Sequence, residues 1–318
     1  MKSWFLRLRH VLLVLPFVFI GLAGSLWAQP QPIQFDLFRS RIQDAVRALG
    51  DQPRFKGIPL KRREELAEFV SGNMLFVLLH ELAHTAVTEL DLPVLGRKED
   101  AADSFAALTL IHIKSGFSDR VLTEAAKGWF MADRRDRKEG ESVVYYDEHG
   151  LNQQRAFQIV CYMVGADPIR FKDLAAETKL PKDRQESCAD DYRDAAKSWG
   201  AVLQPHLRAP DQPESKIDVV YGEASGRLEI TAQMARSIRL LEPVAARSAE
   251  LVRWPAPFSL EMQTCGFVNA RWAPATHKLT LCYELAADFA DLYREYGIKQ
   301  AESRPRKSKR YGRTAARS

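Results

Sequence analysis

Cysteine is scarce and never closely paired: Cys161, Cys188, Cys265 and Cys282 are the four in 318 residues, and no Cys-x-x-Cys step occurs. That spacing excludes a zinc ribbon and a dithiol redox motif. There is no Gly-x-Ser-x-Gly elbow, so a serine hydrolase of that kind would lack its nucleophile turn. No repeat of fixed period runs along the chain, which excludes solenoids and propellers. Only one histidine, His84, has a glutamate three residues before it, whereas a di-iron carboxylate bundle needs two such steps.

Positive charge is also scarce in the body of the chain. Of the formal +5, the first 28 residues hold three and residues 299–318 hold seven, so residues 29–298 carry about −5. The basic pI of about 9.0 describes two ends, and the folded body is not expected to bind nucleic acid. Residues 299–318 read as a basic disordered tail whose partner, in an exported chain, is an anionic envelope surface. With 46% apolar and 27% charged residues, the remainder has ordinary globular composition and can bury a full core.

What is present begins with a leader. Lys2, Arg7 and Arg9 precede an apolar run over 11–27 that closes at Ala28 before Gln29-Pro30. This predicts a cleaved signal peptide over 1–28 and a periplasmic or secreted protein, the alternative being an uncleaved inner-membrane anchor over 11–28. An exported chain meets oxidising conditions, so the four cysteines are expected to form two disulfides. Of three connectivities the local ones are chosen, Cys161 with Cys188 and Cys265 with Cys282.

Apolar periodicity predicts helices over 35–49, 64–89, 98–113, 118–133, 152–164 and 190–203. A polar, proline-bearing linker over 208–213 then separates a helical domain, 29–208, from a mixed part, 214–298. In that part, strands are expected at 217–221 and 228–231, a helix at 232–249, and alternation around Phe258, Leu260 and Met262. A hairpin of 269–272 with 278–282 and a last helix at 284–296 follow. The fold class is α+β, mainly helical, with 214–298 completing the catalytic unit.

The chemistry lies in His80-Glu81-Leu82-Ala83-His84. On a helix, residues four apart share a face, so the two imidazoles can bind one tetrahedral Zn²⁺. Glu81 sits about 100° round the helix, within reach of a water that the metal acidifies, and can act as general base in peptide hydrolysis. The flanking residues, 75–79 and 86–87, are apolar, where two histidines and a glutamate would be costly without a task. A third ligand is expected from Glu99, with Asp103 one turn further on accepting the free N–H of a ligand histidine. His112, His206 and His277 lack ligand-like spacing.

The HExxH helix followed by Glu-x-x-Ala-Asp-x-x-Ala, here 99–106, resembles the gluzincin clan, whose zinc is held by two histidines and a glutamate on adjacent helices. More narrowly, the blocks at 76–84 and 92–97, Asp147-Glu148-His149-Gly150 and Cys282-Tyr283-Glu284-Leu285 resemble a bacterial domain-of-unknown-function family described as metallopeptidases. The resemblance reaches across most of the mature chain. It implies a zincin-like peptidase fold, Zn²⁺ and a peptide or protein substrate, without naming that substrate, and, since gluzincins commonly place a Tyr or His opposite the water, an oxyanion stabiliser for which His149 and then Tyr146 are the candidates. The competing reading is an envelope-associated binding or scaffold protein with a structural or vestigial metal site. A retained Glu81 argues against it, because a structural zinc has no use for a general base.

Overall fold

The computed structural model describes residues 35–297 apart from 49 and 51–56. The expected leader and basic tail lie outside the described residues. Ten α-helices and one four-stranded sheet are found among them.

The mainly helical half is built around α2, Leu60–Glu89, whose 30 residues make a rod about 45 Å long. Pro59 precedes it in an extended conformation, and its carbonyl accepts the first helical hydrogen bonds, from Arg62 and Arg63. By length and composition α2 could cross a membrane, yet 72% of its most apolar stretch is buried inside this fold. The apolar run read from the sequence is thus a core helix, packed by α1 (Phe35–Ala48), α3 (Lys98–Ile113) and α4 (Gly116–Glu139). Small residues set these approaches. Ala102, Ala106 and Ala107 of α3 are fully buried, and a Cβ on Gly128 of α4 would stand 2.1 Å from Asn73 Oδ1 on α2. Asn73 is fixed there by donating to the Phe69 and Glu124 carbonyls.

Beyond α4, an exposed loop leads into α5 (Asn152–Ala166), then α6 (Lys172–Thr178) and α7 (Lys182–Leu203). Sequence periodicity missed α6, which is only two turns long and buries a single residue, Ala175. Cys161 and Cys188 form a disulfide that ties α5 to α7.

The sheet has strand order β1 (Ile217–Tyr221), β2 (Phe258–Gln263), β4 (Lys278–Cys282), β3 (Ala270–Ala273). β1, β2 and β4 run parallel, and β3 returns antiparallel to β4 as the expected hairpin. Register puts Val219, Leu260 and Leu279 side by side with Trp272 on one face, which joins the main core. The other face is polar, and its buried Glu261 is neutralised by Lys278 at 2.9 Å.

Two expectations here need correction. Residues 228–231 are not a strand: a 3₁₀ turn, Gly226–Leu228, leads into α8, Glu229–Ile238, which buries Ala232, Ala235 and Ile238 at helical spacing. Nor is there one helix over 232–249. The chain breaks at Arg239 in the left-handed region (φ 56°), buries Leu240 and Leu241, and restarts as α9, Glu242–Leu251, with Pro243 in its first turn. Finally α10, Tyr283–Leu292, packs on α2 and ends in a π-helical turn, Tyr293–Gly297. The second disulfide, Cys265 with Cys282, pins the loop before β3 to the end of β4. The two bridges point to an oxidising, extracytoplasmic compartment.

Candidate metal centre

Helical geometry brings His80 and His84 to one face of α2, their rings edge to face with centroids 4.8 Å apart. Glu99, in the first turn of α3, reaches across to both. Its Oε2 lies 3.0 Å from His80 Nε2 and 3.2 Å from His84 Nε2, and the two Nε2 atoms are 3.1 Å apart. Zinc bonds of 2.0–2.1 Å in a tetrahedron put neighbouring ligand atoms about 3.3 Å apart. The three separations fit that figure.

Proton accounting agrees. His80 Nδ1 is 2.8 Å from Asp103 Oδ1, and donating there leaves the His80 Nε2 lone pair facing the Glu99 carboxylate. Two acceptors at 3.0 Å repel unless a cation lies between them, so the donor set suits a divalent metal. Burial opposes a charge on His80, but its bonds to Asp103 and Glu99 outweigh that and raise its pKa to about 9, so at neutral pH a proton on Nε2 can serve as that cation and must leave when a metal binds. Burial also opposes charge on Glu99, and the three surrounding imidazoles drive its pKa far below the carboxylate range.

Asp103 is itself gripped by Arg155 of α5, through Nε to Oδ2 at 2.6 Å and Nη2 to Oδ1 at 2.7 Å. The Arg155 guanidinium stacks over Trp129 at 3.7 Å. Burial would raise the Asp103 pKa, but the Arg155 charge and the bonds from His80 and Arg155 hold it at about 2. A permanent carboxylate therefore stands behind His80.

Glu81 is buried on the same helix. Burial raises its pKa, partly offset by His80 and His84 and by the backbone N–H of Trp272, which donates to it. That bond joins α2 to the edge of the sheet. His149 comes from the loop between α4 and α5, half exposed, with Nε2 3.0 Å from Glu99 Oε2. Tyr146, three residues earlier, is 91% exposed, so of the two loop candidates the structure brings His149 to the carboxylate. Cys265, Cys282 and Glu284 also lie within 4.8 Å of one another, but the sulfurs are bridged and Glu284 accepts from the backbone of Cys265 and Gly266.

Three participants were missed in the sequence. Arg155 had no motif of its own, and Asp147 stood in the Asp147-Glu148-His149-Gly150 block without being given a role. The Trp272 N–H is a backbone group that no side-chain pattern reports.

A buried two-helix site of histidines and carboxylates defines a candidate metal-dependent enzyme. The family model described as "putative metallopeptidase" matches residues 43–203 and 223–315, and the chain belongs to that family. Membership implies a metal, peptidase activity and a peptide or protein substrate. No curated protein and no solved structure matches the chain.

Proposed function

We propose that the chain is an exported zinc-dependent metallopeptidase that hydrolyses peptide bonds. His80, His84 and Glu99 are the ligands, Glu81 is the general base, and Asp103 orients His80. The observation that carries this reading is the convergence of three ligand atoms at 3.0 to 3.2 Å beside a buried glutamate. Zinc held there supplies Lewis acidity to the scissile carbonyl and brings the pKa of a water toward about 7. Glu81 takes the proton from water and passes it to the leaving amine, a task helped by the raised affinity for protons that burial gives it. His149, with Tyr146 as the second candidate on the same loop, donates to the oxygen that gains charge.

Residues 214–298 complete the unit begun by 29–208, because they supply β3. The Cys282 N–H donates to the Asn269 carbonyl, which fixes the phase of the ladder. Ala270 and Trp272 consequently turn their backbone groups away from β4 toward the open edge, and Trp272 N–H meets Glu81 there. An extended substrate can add to this edge by main-chain pairing, which brings a peptide bond to the base. The disulfides support export, with a leader cleaved after Ala28, a periplasmic or extracellular site of action, and a basic tail that contacts anionic envelope surface.

Elemental analysis of the purified mature protein tests the reading, beside His84→Ala, Glu99→Ala and Glu81→Gln. About one zinc per chain is expected in wild type and Glu81→Gln, with zinc lost or weakened in the other two. Hydrolysis of a quenched-fluorescence peptide pool is expected from wild type alone. Zinc absent from wild type, and not taken up on titration, would sink the proposal; zinc with equal hydrolysis by Glu81→Gln would leave a structural site.

A further inference from the structure

His149 is bonded like a ligand. Its Nδ1 is 3.2 Å from Asp147 Oδ1, and its backbone N–H donates to the same oxygen at 2.8 Å. If Nδ1–H is donated to Asp147, the neutral ring offers its Nε2 lone pair to a metal beside Glu99, whose Oε2 is 3.0 Å away. His80 repeats the arrangement, with Nδ1 on Asp103 and Nε2 on the same Glu99 oxygen. An imidazole whose far nitrogen is held by a carboxylate is the usual state of a metal-bound histidine. The His149 and His80 rings are nearly parallel, at 17°, and the ligand atoms of His80, Glu99 and His149 lie within 4.8 Å of one another.

The attachment of His149 nonetheless differs from that of the other three. His80, His84 and Glu99 stand on core helices, whereas His149 ends a loop in which Tyr145 and Tyr146 are 85% and 91% exposed. Asp147, its partner, belongs to that same loop, so the pair can leave together without breaking a contact between them. A centre with four protein ligands is closed, and a catalytic one needs an open position.

We propose that His149 is a fourth, displaceable ligand: it closes the metal centre in the resting protein and withdraws when a substrate carbonyl enters. This rests on the zinc reading above. Displacement opens the position a substrate carbonyl needs, and the freed Nε2, on a half-exposed ring, can then take from solvent the proton that an oxyanion donor requires, with Asp147 facing the resulting cation. The exposed apolar side chains at 143–146 travel with His149, which couples the approach of an extended apolar peptide to this loop to opening of the metal.

X-ray absorption on the zinc-loaded full-length chain counts imidazoles directly, and competition with a chromophoric chelator gives affinity; neither depends on turnover. Three imidazoles are expected in wild type and two in His149→Ala, with zinc affinity about tenfold lower or more in the variant, and a smaller loss in Asp147→Asn. Acetohydroxamate, a small zinc-binding probe, is expected to reduce the wild-type count to two and to bind His149→Ala more tightly. Two imidazoles in both proteins, with zinc present and dependent on His84, would overturn this inference and leave the proposed function standing. Three imidazoles retained with the probe bound would overturn displacement. Absence of zinc from wild type would overturn both.

Discussion

Asp103 Oδ1 is shared between Arg155 Nη2 at 2.7 Å and His80 Nδ1 at 2.8 Å, so a guanidinium on α5 and an imidazole on α2 meet on one carboxylate oxygen of α3. Arg155 and Asp103 are both more than nine-tenths buried. Removing one partner of such a pair leaves an uncompensated charge, at about 3–5 kcal/mol. Arg155→Met is expected to lower unfolding stability by that order in urea titrations and to weaken zinc binding by roughly 10–100-fold. Arg155→Lys keeps the charge but not the two-pronged grip, and should recover stability better than metal affinity. Equal zinc affinity in all three proteins would separate Arg155 from the metal and leave it a structural residue.

The two helices that bring His80, His84 and Glu99 together were legible in the sequence because their signals are local. A histidine pair four apart, a glutamate between them and an acidic first turn on the next helix all follow from helical period. Both disulfides were legible from nearness in the chain, and the hairpin from its alternation around Pro274. What escaped depends on tertiary contact. Arg155 is 52 residues from Asp103, and Trp272 N–H is aimed at Glu81 by the phase of a ladder. Residues 228–231 misled because Leu228 and Ile230 alternate like a strand, while the burial of Ala232, Ala235 and Ile238 decides for a helix.

Gly165 of α5 lies directly against the backbone of α7. A Cβ there would stand 2.1 Å from the Cys188 carbonyl oxygen and 2.6 Å from its carbon, both backbone atoms. Since the neighbouring Cys161–Cys188 bridge holds α7 against α5, the clash cannot be relieved by a side-chain turn. Gly165→Ala is expected to cost about 1–3 kcal/mol, read as a lower urea midpoint with unchanged slope. A midpoint equal to wild type would show that the two helices slide apart freely.

The Cys161–Cys188 bridge closes a 27-residue separation. Chain-entropy arguments assign such a loop roughly 3–4 kcal/mol. The double substitution Cys161→Ala with Cys188→Ala is expected to lose about that much stability at pH 7, and wild type treated with a reductant, which opens the Cys265–Cys282 bridge as well, should lose at least as much. If reduction leaves the unfolding midpoint unmoved, the bridge contributes nothing beyond what the α5–α7 contact already provides.

Glu284 links pH to stability away from the metal. Burial raises its pKa, but the backbone N–H groups of Cys265, Glu284 and Gly266 overcome that and lower it below the ordinary glutamate value. A depressed folded-state pKa stabilises the fold above the unfolded value of about 4.3, and that stability is lost as pH falls through the folded value. In urea titrations from pH 7 downward, Glu284→Gln is expected to be less stable than wild type at neutral pH and to converge on it in acid. Parallel curves across the whole range would remove the linkage.

The edge of the sheet offers a test that separates binding from folding. Arg271 turns its N–H inward to β4, whereas Ala270 turns its own outward, where it meets only the Asn269 side chain at 2.9 Å. Proline lacks an N–H and is tolerated in strands only at edges or where no ladder bond is lost. Arg271→Pro should therefore break a ladder bond and lower stability by about 1 kcal/mol or more, whereas Ala270→Pro should fold nearly as well as wild type. If extended peptides pair with this edge, Ala270→Pro also removes a donor for the substrate and should raise KM on the peptide pool several-fold, with zinc content unchanged. An unchanged KM in a well-folded Ala270→Pro protein would move substrate binding off β3 and onto the loop that carries His149.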